Sequence, residues 1–131
     1  MPFAKYELTW KPVQLDDPLL DLNKIIGHVS EYSAAYAVCY VDTETEQNEI
    51  RLLVGSDDLA KIYLNGREIY QSRYRRGYAE DEDMVEGLHL NAGKNVIVLK
   101  LVNVTSEWMA SVRLTDATGN PVTGIKTGRV P

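Results

Sequence analysis

Asn65-Gly66, set between two alternating apolar segments, limits the fold of this chain more than any other feature. Both residues tolerate positive φ, so the pair closes the tight two-residue turn that suits the twist of antiparallel strands. Before it, AKIYLN (60–65) places Ala60, Ile62 and Leu64 on one face; after it, REIY (67–70) returns. A hairpin of this kind must bury its apolar face against a second layer.

The same two-residue period recurs along the chain. EIRLLVG (49–55) aligns Ile50, Leu52 and Val54, and AYAVCYV (35–41) is dense in β-branched and aromatic residues. Further strands are predicted at 3–10, 83–90, 95–104 and 108–115, with a short strand or tail over the last ten residues. Segment 95–104 is apolar on both faces apart from Lys100 and Asn103, which predicts a central strand covered on both sides. Helix is confined to one turn near 18–26, where Leu19, Leu22 and Ile26 share a face and Pro18 follows Asp16-Asp17. About eight short strands predict an all-β, two-layer antiparallel sandwich of the jelly-roll type, a single module over residues 1–131.

The formal charge of −5 argues against nucleic acid, because phosphate neutralisation needs a basic face. The one basic concentration, Arg73, Arg75 and Arg76, is followed directly by Glu80-Asp81-Glu82-Asp83. No apolar run approaches the length needed to span a bilayer, and the first residues carry no hydrophobic signal segment. Cys39, the single cysteine, lies in an apolar run and reads as a buried, inert thiol.

No catalytic constellation is visible. The chain has no Gly-x-Ser-x-Gly elbow and no phosphate-cradling glycine loop, and Asp57-Asp58 and Glu80 to Asp83 read as solvated carboxylates in loops. Asp-Asp between strands is first a turn-forming device, since such carboxylates bond neighbouring amides. His28 and His89 are remote from each other and Cys-x-x-Cys is absent, so zinc is not expected and no cofactor is. Calcium would draw on Asp57-Asp58 or Asp16-Asp17 with nearby carbonyls. Asn103-Val104-Thr105 matches a glycosylation acceptor, but it ends a strand expected to be buried.

Sugar recognition is the positive expectation. A pyranose presents an apolar face and a ring of hydroxyls, so its receptor needs aromatic plates edged by planar hydrogen-bonders. Ile69 to Tyr78 supplies Tyr70, Tyr74 and Tyr78 interleaved with Arg73, Arg75 and Arg76, and Trp108 offers a second plate. Trp10, Tyr36, Tyr40 and Tyr63 fall within strands and are expected to pack.

VGSDDLAKIYLNG (54–66) resembles a recurrent stretch of the galactose-binding-domain-like jelly rolls found as accessory modules in bacterial glycoside hydrolases and related multidomain proteins. The flanks are similar too: Ala35-Tyr36-Ala37, Asp81-Glu82-Asp83-Met84-Val85, the Leu90-Gly93-Asn95 turn and Trp108. The resemblance covers roughly 35–115 and departs at Leu59, where such modules often carry glycine. It implies a non-catalytic carbohydrate-binding module that is part of a larger extracellular or periplasmic protein, sometimes holding a structural calcium. The alternative is a spacer or protein-interaction sandwich with no sugar ligand and no membrane partner.

Overall fold

A computed structural model describes residues 19–27, 31–72, 79–105 and 107–128. Among them run nine strands and one short helix: β1 (Leu19–Asp21), α1 (Leu22–Ile26), β2 (Ser33–Thr43), β3 (Gln47–Asp57), β4 (Leu59–Leu64), β5 (Arg67–Gln71), β6 (Asp83–Leu90), β7 (Gly93–Asn103), β8 (Met109–Thr115) and β9 (Ile125–Gly128). They form two antiparallel sheets, one ordered β1-β8-β3-β6 and the other β5-β4-β7-β2-β9. The chain is the all-β sandwich that its alternation predicts.

Period-two patterning becomes a core because alternate side chains of both sheets point inward. Ile50, Leu52 and Val54 of β3 meet Ala60, Ile62 and Leu64 of β4 and Ile97, Leu99 and Leu101 of β7, all nearly inaccessible. β7 is central within its sheet: β2 flanks it over Ser33–Thr43 and β4 over Leu59–Leu64. The Asn65-Gly66 hairpin forms as expected, with φ of 50° and 82° at the two residues.

Two expectations need correction. The helical turn starts at Leu22, not at Pro18, because Asp21 is its cap: the Asp21 carboxylate accepts from Lys24 N at 3.2 Å. Leu19 to Asp21 instead pair with Met109 to Ser111 as a strand. β7, expected to be covered on both sides, is covered on its inner face alone, with Val96, Val98, Lys100 and Val102 only half-buried on the other. Gly55 lies inside β3 without a positive φ. It is glycine because a Cβ there would stand 2.1 Å from the Ala79 carbonyl oxygen. The strand predicted at 3–10 lies outside the described residues.

The connections sort to two ends. At one end gather the β2–β3, β4–β5 and β6–β7 turns, organised by fully buried Asn95. Its Oδ1 accepts from Asn91 N and Asn65 Nδ2, both at 2.9 Å, and its Nδ2 donates to the Asn91 and Val41 carbonyls at 3.0 and 3.3 Å. At the other end lie the β3–β4 step, the β5–β6 and β7–β8 connections, α1 and the entry to β2.

Candidate functional site

The second end is where the sandwich presents chemistry, and its framework begins at Asp57-Asp58. Both side chains are buried, 9% and 6% exposed, so the sequence expectation of solvated loop carboxylates is overturned. The reason is position: Asp57 closes β3 opposite Met109, and Asp58 steps directly into β4. Asp58 Oδ2 accepts from Val104 N at 2.8 Å and Thr105 N at 3.3 Å, fixing the start of the β7–β8 connection. Burial pushes the Asp57 carboxyl up to about 6, helped by its hydrogen bond with Asp58 and by the charges of Asp58 and Glu107. Two carboxyls this close cannot both ionise freely, so Asp57 keeps its proton until the pH approaches about 6. Among the described residues no group of three or more His, Cys, Asp or Glu is arranged to hold a metal ion.

Above this framework stands Tyr32, 81% exposed, on backbone at φ 51°. Its N–H donates to the Val104 carbonyl at 3.1 Å, so the segment tied down by Asp58 also seats Tyr32. Sequence reasoning missed Tyr32. It precedes the alternation of β2 and carries no motif.

The β5–β6 connection crosses this same end from one sheet to the other, and both of its feet are fixed. At the first foot, Ser72 N donates to the Ala60 carbonyl at 2.9 Å while Ala60 N donates to Ser72 Oγ at 2.7 Å. At the second, Ala79 rests on Gly55 and Asp81 pairs with Arg113 at 2.6 Å. The acidic run thus finds one of its cations on β8. The expected ligand residues Arg73, Tyr74, Arg75, Arg76 and Tyr78 lie outside the described residues.

The remaining two expected ligand residues serve the scaffold. Tyr70 pairs with Ile62 on the inner side of its sheet, and its hydroxyl donates to Asp83 Oδ2 of the opposite sheet. Trp108 is 1% exposed and packs in the core, where its carbonyl accepts from Leu22 N at 2.9 Å; it offers no open ring face. Conversely, Tyr36, expected to pack, is 55% exposed on the outer face of the five-stranded sheet. An open groove of about 490 Å³ at the opposite end, lined by Arg67, Glu68, Glu86 and His89 among others, has no Phe, Tyr or Trp in its lining.

Neither a family model nor a curated protein matches this chain. Among solved structures it is similar to a family 35 carbohydrate-binding module from an environmental isolate, with a TM-score of 0.52 and 17% identity. The likeness covers 78% of this chain and 77% of the other. The likeness is one of fold, a two-sheet antiparallel β-sandwich.

Proposed function

We propose that this chain is a non-catalytic carbohydrate-binding module, an accessory part of a larger polysaccharide-active protein, with its glycan site at the loop end of the sandwich. One observation carries the reading: an exposed aromatic, Tyr32, stands at the end crossed by a tyrosine- and arginine-rich connection whose two feet are locked to opposite sheets. The Tyr32 backbone is held by Val104 before binding, which lowers the ordering cost of recognition. Tyr32, Tyr74 and Tyr78 supply plates for apolar sugar faces, and Arg73, Arg75 and Arg76 supply planar donors for hydroxyls. The fold it shares with a carbohydrate-binding module supports the same reading.

A glycan array followed by affinity electrophoresis in soluble polysaccharides tests it. The wild-type chain is retarded by at least one polymer, and Tyr32→Ala and Tyr74→Ala abolish that retardation while keeping the fold. Absence of binding across a broad panel puts the spacer or protein-interaction role in its place.

A further inference from the structure

The outer face of the five-stranded sheet, away from the loop end, has an order of its own. Cross-strand register sets its side chains in rows: Lys61, Lys100 and Tyr36; Tyr63, Val98 and Val38; Val96 and Tyr40; Lys94, Asp42 and Lys126. At about 3.3 Å per residue, Tyr36 and Tyr40 stand about 13 Å apart along β2, and Lys94 and Lys100 about 20 Å apart along β7. Tyr63 lies two strands, about 10 Å, from the β2 row.

The charge of this face runs against that of the chain. Four lysines face two acids, Asp42 and Glu68, in a molecule of net charge −5. Lys61 reaches Glu68 at 3.4 Å. Lys94 and Lys100 have no carboxylate partner among the described residues; each ammonium lies 5.9 Å from a tyrosine ring centre, that of Tyr40 and that of Tyr36. Lys61 and Lys100 are directly opposed across neighbouring strands, an arrangement of like charges that costs sheet stability. Local rules broken at a surface are one mark of a site shaped by binding.

We propose that this face is a second glycan-binding surface, for a linear polysaccharide bearing carboxylate or sulfate groups. Cations at both ends of the face receive the acidic substituents, and the tyrosines and valines between them receive apolar ring faces. A neutral polymer leaves the lysines unused. The inference shares with the loop-end reading only the class of ligand and stands on different residues.

The test is affinity electrophoresis of the whole chain in polygalacturonate, a sulfated galactan and a neutral galactan, with a gel shift against poly(dT), at low and high salt. The wild type is retarded by a carboxylated or sulfated polymer more than by the neutral one, and salt weakens the effect. Lys94→Ala/Lys100→Ala weakens it about three- to tenfold, since exposed charge contacts are individually small. Tyr36→Ala/Tyr40→Ala weakens it too. Thermal melts establish that each variant is folded, and Lys94→Gln/Lys100→Gln replaces the alanine pair if that pair is not. Unchanged retardation in the lysine variants, preference for the neutral polymer, or an equal shift with poly(dT) overturns the proposal. Loss confined to Tyr74→Ala removes the face and leaves the loop end standing; loss confined to the face variants does the reverse.

Discussion

The Tyr70 hydroxyl donates to the Asp83 carboxylate across the sandwich, joining the edge strand of one sheet to the edge strand of the other. Both residues sit at the feet of the β5–β6 connection, so one hydrogen bond fixes the gap that the connection must cross. Bonds to an ionised partner are worth about 1.5–3 kcal/mol when partly buried. Tyr70→Phe is expected to lower stability by about that amount in urea unfolding. In a double-mutant cycle with Asp83→Asn the two losses are less than additive; full additivity would show that the pair is not coupled.

Asp57 makes stability depend on pH in a stated direction. Its folded carboxyl titrates near 6 against an ordinary 3.8, so the native state holds the proton more tightly than the unfolded one. The contribution is therefore fully present below about pH 4 and is lost as pH rises through 6. At 1.36 kcal/mol per unit the loss is on the order of 2–3 kcal/mol. Asp57→Asn removes the charge and is expected to raise the urea midpoint at pH 8 while changing little at pH 4. An equal effect at both values would refute the assignment.

Gly55 is held by a steric constraint. Its absent side chain leaves room for the Ala79 carbonyl, with Ser111 Oγ at 3.1 Å from the same point. Gly55→Ala must move backbone on one side or the other, which in a packed site costs about 1–3 kcal/mol. Faster amide exchange confined to 79–83 would locate the displacement; an unperturbed variant would mean the contact is not tight.

Asn95 supplies the polar order of the far end. It is fully buried and joins two turns and strand β2 through both ends of its amide. Asn95→Asp keeps the shape but can no longer donate to the Asn91 and Val41 carbonyls, and it buries a charge. The expected loss is about 2–4 kcal/mol, by analogy with other unsatisfied buried groups. Asn95→Ala, which strands Asn91 N and Asn65 Nδ2 instead, is expected to be similarly damaging in urea unfolding.

The strands were legible because burial in a two-layer sandwich imposes a period of two, which β4 and β7 obey throughout and β3 obeys from Ile50 to Val54. β1 was not legible. Three residues next to a helical turn carry too little pattern to separate from it, and Leu22 serves the helix and the core at once. The site was harder for a different reason: residue type does not say which way an aromatic points. Tyr70 and Trp108 look like plates and are structural, whereas Tyr36 looks like a core residue and faces solvent. Outward direction on the five-stranded sheet follows from register with Lys100 and Val98, which only the paired strands reveal. Asp57-Asp58 failed as loop carboxylates because the chain passes from sheet to sheet there in a single step, with no room for a loop.

The double anchorage of Ser72 and Ala79 separates two demands that usually compete within one sequence. Ser72 and Ala79 hold their contacts through their own atoms and those of Ala60 and Gly55, so substitutions at 73–78 keep both anchoring pairs. A scaffold organised in this way is suited to diversification, and a library randomised at 73–78 would sample new specificities on an unchanged chassis.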